Sequence, residues 1–385
     1  MNKVIEYGYT SFNKYGEQLC GDSVAISNDD NYLTIILADG LGSGVKASIL
    51  STLTSKILCT MISNNIPIEE CVATIIETLP VCKQRGIAYS TFSIVHLDSS
   101  GKGSLFEFDN PACIYLRDNK AIELDKEELE VLGRTIYKYD IELLDQDVLI
   151  LMSDGVIHAG IGKILNLGWQ QDEMIKYLQN KIDKDMSARN IACLLASASE
   201  ELYMHEPYDD TTVVAIKMRQ EKIVNVMIGP PADSKDDHKY VKDFMDKEGV
   251  KVVCGGTTSK IVADYLGEKV NVIIDEGEEL PPIGSIKGID LVTEGILTLN
   301  KLIELSDQYL KTNSNESKSF NDDDGASRLA DLLFEQATTV NFFVGQAIND
   351  AYKDTPINSS LKFRLVDRLI DNLKLMNKKT SVRYY

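Results

Sequence analysis

Basic residues are scarce in this chain: 40 lysines and arginines stand against 59 aspartates and glutamates, a formal net charge of −19. A surface so acidic repels nucleic acid and anionic lipid and favours cations and basic partners, so neither nucleic acid nor membrane is expected as a partner. The N-terminal MNKVIEYGYT lacks a basic region followed by an apolar one, and no signal peptide is expected. No apolar run approaches the ~18 residues of a membrane span, and a cytoplasmic protein is the expectation. Metal-binding cysteine pairs are missing too. Cys20, Cys59, Cys71, Cys82, Cys113, Cys193 and Cys254 are scattered, odd in number, and free of CxxC or nearby histidine at zinc spacing. Reduced thiols packed in cores are the natural reading.

At 385 residues the chain suits two domains better than one. Strand-like runs at 24–27 and 33–38 flank the turn Asn28-Asp29-Asp30-Asn31. Apolar residues then recur at helical spacing through Ile49, Leu53, Ile57 and Met61, and again after Pro67 through Cys71, Ile75 and Leu79. Strands follow at 89–97, 104–108, 114–116, 135–143 and 147–152, helices at 172–181 and 187–204, and a strand at 212–218. Antiparallel sheets packed together with helices on their outer faces accommodate this order.

A second unit begins near Arg219-Gln220-Glu221-Lys222, with strands at 223–228, 250–254 and 270–274 and helices at 235–247 and 257–266. This alternation predicts a small α/β domain over 221–310 with a parallel sheet. The polar, low-complexity 311–327 predicts a flexible loop, and 328–385 predicts helices, at 328–352 and 359–378.

Four acidic sites stand where a strand ends and a turn begins: Gly21-Asp22; Ala38-Asp39-Gly40-Leu41-Gly42-Ser43-Gly44; Met152-Ser153-Asp154-Gly155; and Asp209-Asp210-Thr211-Thr212. A strand end holds a carboxylate rigidly, and a following glycine lets backbone or ligand come close. Magnesium and manganese want oxygen ligands, and aspartates gathered from distant strands repel one another unless a cation neutralises them. Asp-Gly is a common turn dipeptide, and each site alone reads more readily as a turn than as a ligand site. The Gly40–Gly44 stretch lacks the Gly-Lys-Ser/Thr ending of a phosphate loop.

Taken in order, GD, LADGLGSG before a helix, SDG, and DDTT before a strand resemble the metal-dependent protein phosphatase (PPM, type 2C) superfamily, in its bacterial SpoIIE-type branch, over about residues 1–218. The resemblance implies an α+β fold, an antiparallel β-sandwich flanked by helix pairs (αββα), over 1–220. It implies two divalent cations, Mn2+ or Mg2+, held by Asp22, Asp39, the Gly40 carbonyl, Asp154 and Asp209. Asp209 is taken over Asp210 because the family's last motif places its ligand first. The implied reaction is direct attack of metal-activated water on phosphoserine or phosphothreonine of a phosphoprotein substrate. His158 is a candidate for protonating the leaving group. Helices near 44–64 and 67–79 correspond to elements thought to switch activity in this branch.

Many eukaryotic members of the family carry an arginine just before the first aspartate; the bacterial branch commonly lacks it, so its absence does not exclude catalysis. Here 13–20 offers only Lys14, a point charge without a bidentate fork. That departure leaves a second reading beside the enzyme: a catalytically weak or inactive phosphatase-like scaffold or ligand-binding regulatory protein. Small-molecule phosphoesters are a third. In the second domain, Ile228-Gly229-Pro230-Pro231 and Cys254-Gly255-Gly256-Thr257-Thr258-Ser259 each join a strand to a helix, at the sheet edge where ligands gather. Amides near Thr257 offer a small anionic ligand a place; Thr257 or Thr258 capping the helix accounts for the same residues and is preferred. A sensor or partner-docking module is expected there.

Overall fold

Two antiparallel sheets organise the first 220 residues of the computed structural model, which describes residues 2–29, 31–78, 90–273, 283–311, 324–347 and 358–385. The chain divides into two units, one ending at Gln220 and one beginning at Glu221. The first opens with β1 (Lys3–Phe12), β2 (Asp22–Asn28), β3 (Tyr32–Gly40), α1 (Gly44–Ser63) and α2 (Ile68–Thr78). It continues through β4 (Ser90–Asp98), β5 (Lys102–Phe108), β6 (Ile114–Arg117), β7 (Lys120–Ala121), β8 (Glu127–Val131), β9 (Arg134–Glu142) and β10 (Val148–Met152). It closes with α3 (Asp154–Ile157), α4 (Gln171–Lys181), α5 (Ala188–Leu202) and β11 (Thr211–Gln220). The sheet orders are β1-β11-β10-β6-β7 and β2-β3-β4-β5-β9-β8.

Side chains alternate across each strand, so a strand buried on both faces must be apolar throughout. In β3, Ile35 and Leu37 pack between the sheets with Val95, Leu149 and Val214. Ile36 and Ala38 face the other way, against Leu58, Ile62, Cys71 and Ile75 of α1 and α2. On the opposite sheet, Ile150 and Val213 meet Met174, Leu178, Ile191 and Leu195 of α4 and α5. The layers are therefore helix pair, sheet, sheet, helix pair, as expected. Strand β1 escaped the sequence reading, although it pairs along its whole length with β11, from Lys3↔Gln220 to Phe12↔Thr211. Its polar and glycine content hid it. One further expectation is corrected: α1 is long and apolar enough, by length and composition, to cross a membrane, with a mean hydropathy of 1.3. Here its buried face, including Ala47 and Leu58, covers the sheet of β2 and β3.

The second unit contains β12 (Ile223–Ile228), α6 (Asp237–Met245), β13 (Val250–Cys254), α7 (Gly256–Leu266), β14 (Asn271–Ile273), β15 (Ile283–Ser285) and β16 (Leu291–Thr293). After these come α8 (Ile296–Lys311), α9 (Gly325–Ala330), β17 (Thr339–Val344), α10 (Asn358–Leu375) and β18 (Lys379–Tyr384). Strand order is β14-β15-β16-β13-β12-β17-β18, parallel from β16 to β18. Helices α6 and α7 cover one face through Tyr240, Phe244 and Val262; α8, α9 and α10 cover the other through Leu302, Leu329 and Leu369.

This corrects the expected division at 310 and the purely helical 328–385. Residues 339–344 form β17, which pairs with β12 inside the sheet, and 379–384 form the edge strand β18. The apolar residues Leu329, Leu332 and Leu333 carry a helical pattern that runs straight into Val340, Phe342, Phe343 and Val344, so periodicity alone misses the change. Of the expected loop 311–327, residues 312–323 lie outside the described residues. Asp324 caps α9, accepting from the amides of Ala326 and Ser327.

Candidate metal centre

All four sequence-nominated aspartates lie at one end of the two sheets of the first unit. Asp22 opens β2 and pairs in register with Asp39 near the end of β3. Asp154 starts α3 directly after β10, and Asp209 precedes β11, its neighbour in the other sheet. Ser153 stitches the sheets together. Its hydroxyl donates to Asp22 Oδ2 at 2.7 Å and accepts from the Thr212 amide at 2.8 Å, while its own amide donates to the Thr212 carbonyl.

Close backbone approach explains two of the glycines. A Cβ built on Gly40 would stand 2.1 Å from the Ala47 carbonyl oxygen of α1, and one on Gly155 would stand 2.1 Å from the Asp210 carbonyl oxygen. No side chain fits at either position. The Asp39 carbonyl accepts from Ser90 at 2.8 Å, and the Gly155 carbonyl from the Tyr203 hydroxyl at 2.6 Å, which anchors both turns.

The electrostatics follow from crowding. Burial pushes the Asp22 carboxyl up to about 7, partly offset by hydrogen bonds from Ser153 and Thr212. Burial also pushes Asp39 up to about 10, with the charges of Asp22, Asp154 and Asp209 raising it further. Asp209 rises to about 6 through burial and the charge of Asp154, against a lowering contribution from Lys14. Asp22 Oδ1 is buried without a hydrogen-bond partner. An oxygen-rich cluster that resists ionising together, with one buried oxygen left over, fits divalent cations well.

Asp154, His158 and Asp209 each offer a ligand atom, all within 4.8 Å of one another. His158 Nδ1 lies 3.8 Å from Asp154 Oδ2. The sequence reading considered His158 for a leaving-group proton; the geometry groups it with the acidic ligands instead. Asp22 and Asp39 stand outside this triad, though Asp39 interacts with both of its carboxylates. Asp210 is buried, with Oδ1 accepting from the Lys14 amide at 3.0 Å and Oδ2 buried without a hydrogen-bond partner. It thereby ties the segment ahead of Asp22 to the start of β11. Glu17 accepts from Ser43 at 3.2 Å, at the start of α1. Sequence reasoning passed over Ser153, Ser90 and Glu17; only the serine inside SDG offered a signal.

In the second unit, α7 begins after Gly255 at φ +110°, without a side-chain cap, so the expected capping by Thr257 or Thr258 is corrected. The Gly255 amide donates to the Thr293 carbonyl at 2.9 Å, which brings Thr293-Glu294-Gly295 to the same sheet edge.

Residues 29–219 match the family model described as Stage II sporulation protein E (SpoIIE). Among solved structures, the chain is similar to the PP2C phosphatase domain with a fragment of the regulatory domain of SpoIIE from Bacillus subtilis. The two are 21% identical, over 56% of this chain and 64% of that one, with a TM-score of 0.49. It is also similar to the RsbU and RsbW domains of Rv1364c from Mycobacterium tuberculosis, at 15% identity over 63% and 70% of the two chains, TM-score 0.48. A curated relative is UDP-N-acetylmuramoyl-L-alanyl-D-glutamate--2,6-diaminopimelate ligase of Rickettsia bellii (strain RML369-C), 23% identical over 114 residues. That match takes in 28% of this chain and spans 24% of the ligase's length.

Proposed function

Residues 29–219 form a domain of the SpoIIE family of metal-dependent protein phosphatases, and on that premise we propose that the chain hydrolyses phosphoserine and phosphothreonine in a regulatory protein at the aspartate cluster. The observation that carries this reading is the meeting of Asp22, Asp39, Asp154 and Asp209 at one end of two sheets, bridged by Ser153. Asp22, Asp39, Asp154 and Asp209, with the Gly40 carbonyl, would hold two ions, Mn2+ or Mg2+; His158 is an additional donor beside Asp154 and Asp209. Such ions, when bound, supply an acidified water and neutralise phosphoryl oxygens.

The chain's own residues do the rest. Ser153 orients Asp22 by donating to Oδ2 and leaves Oδ1 free to bind. Asp210, by accepting from the Lys14 amide, keeps the Lys14 ammonium near Asp209, where it offers an incoming phosphate a single positive charge. A point charge grips phosphate less firmly than an arginine fork, so substrate affinity depends on contacts beyond the phosphate. The reading takes the protein as cytoplasmic, with the second unit as its regulatory part.

Purified protein with Mn2+ or Mg2+ is expected to release phosphate from p-nitrophenyl phosphate and from members of a phosphopeptide panel. Asp39→Asn and Asp154→Asn are each expected to lower the rate by more than about 100-fold, beyond what loss of an outer-sphere partner costs. No metal-dependent release on any substrate overturns the enzyme; release that survives both substitutions overturns the site.

A further inference from the structure

The segment after the acidic centre exposes more apolar surface than a connecting loop needs. Between α3 and α4, Ile161 is 38%, Ile164 57% and Leu167 80% exposed. Single exposed apolar residues are ordinary, but a set of them beside a polar-rimmed cleft marks a binding face. Such a cleft is present. Ile164 and Leu165 form one wall of a cavity of about 700 Å³, and Trp169, Tyr177, Ala198 and Leu202 complete its apolar lining. The Trp169 and Tyr177 rings meet edge to face, with centroids 5.5 Å apart, so the aromatic surface is fixed in place. A volume of this size suits the side chains of a docked segment.

The cleft is joined to the acidic centre by short, direct contacts. Trp169 donates its amide to the Ile157 carbonyl at 2.9 Å, and Ile157 ends the helix that begins at Asp154. Tyr203, next after Leu202 in the lining, donates its hydroxyl to the Gly155 carbonyl at 2.6 Å. The cleft is thus walled by segments hydrogen-bonded to the helix that carries Asp154, and one of them, α5, leads toward Asp209.

Charge selects the occupant. Glu173 and Glu201 stand at the lining with Lys176, two carboxylates against one ammonium. Nearby Lys163 does not redress the balance, because its ammonium is taken by the Tyr203 carbonyl at 2.8 Å and Glu206 at 3.1 Å. A second copy of this chain, acidic overall at −19, matches this carboxylate-rimmed cleft less well than a cationic segment does.

We infer that this cleft docks an apolar segment bearing lysine or arginine, supplied by the phosphoprotein whose ester is hydrolysed; the inference rests on the phosphatase reading above. Docking there supplies contacts beyond the phosphate that a lone Lys14 charge leaves wanting.

Trp169 is the chain's only tryptophan, so its emission reports on the cleft without reference to catalysis. The full chain is titrated with two phosphothreonine peptides that differ only in a flanking segment, one of leucines and lysines, the other of leucines and glutamates. The leucine–lysine peptide is expected to shift Trp169 emission and to bind at least about 10-fold tighter, the size of one good apolar or charged anchor. Ile164→Asp and Leu167→Asp, both at exposed positions, should erase that advantage and raise KM for this peptide while leaving p-nitrophenyl phosphate turnover unchanged. Glu173→Lys with Glu201→Lys should reverse the preference.

Equal binding of the two peptides, or binding that all these variants leave unaltered, overturns the docking site. So does a Trp169 shift that follows protein concentration alone and disappears in Leu167→Asp, which would make the face a self-association surface. An intact, peptide-selective Trp169 shift without phosphate release from any ester removes the phosphatase reading and leaves the docking site standing.

Discussion

Ser153 shows how much of this centre depends on residues that bear no charge. Its hydroxyl is fully buried and joins Asp22, at the end of one sheet, to Thr212 in the other. Removing it frees Asp22 to rotate and leaves the Thr212 amide without that acceptor. Ser153→Ala is therefore expected to weaken Mn2+ binding by about 10- to 100-fold, the usual cost of losing a group that orients a ligand. Calorimetric titration of the metal measures this, and unchanged affinity would remove Ser153 from its role. The aspartates themselves were legible in the sequence because each sits in a Gly-Asp, Asp-Gly or Asp-Asp-Thr-Thr signature at the edge of a strand. Ser153's role was not, since its partner Asp22 is 131 residues away.

Strand ends, rather than single residues, set the charge state of the cluster. The ends of β2 and β3 and those beside β10 and β11 bring buried carboxyls together, and burial raises Asp22 to about 7 and Asp209 to about 6. A carboxyl whose folded value lies above its unfolded value near 3.9 stabilises the fold below that unfolded value. The contribution is lost as pH rises through the folded value, between about pH 4 and 7 for these two, and Asp39, raised to about 10, extends the loss to higher pH. In EDTA, the first unit is expected to melt at a lower temperature at pH 7.5 than at pH 5.5. Mn2+ should restore more at the higher pH, because it binds the ionised form. Melting of Asp22→Asn in EDTA should vary less with pH than that of the parent. A parent that melts higher in EDTA at pH 7.5 than at pH 5.5 would contradict this account. The strand endings were readable as elements, but β1 and β17 were not. In β1 Ile5, Tyr7 and Tyr9 do alternate with Glu6, Gly8 and Thr10, but the polar and glycine content masks a strand, and in β17 burial on both faces produces an apolar run without a period.

At the scale of the whole molecule, the two units carry separate cores, an antiparallel sandwich and a mainly parallel sheet covered on both faces. Phe342 is buried in the second, on the strand that pairs with β12. Phe342→Ala should destabilise that unit by about 3–5 kcal/mol, the ordinary cost of emptying a buried aromatic site. Melting followed with and without Mn2+ should show the metal-dependent stabilisation of the first unit preserved. Loss of that stabilisation would mean the cores do not behave separately.

What the sequence by itself determined is the family and fold class of the first domain and the order of its candidate acidic motifs. Strand-ending aspartates with adjacent glycines are local signals, and their order along the chain survives without coordinates. The acidic balance, which sets the preference for cations and basic partners, is likewise a property of composition. Tertiary structure alone decided which neutral side chains hold the carboxylates, that His158 joins Asp154 and Asp209, and that 339–344 completes a sheet begun at Ile223. It also decided that Trp169, Tyr177 and Leu202 meet as one cleft. These depend on pairings between residues far apart in the chain, where packing and burial override the local pattern that periodicity can read.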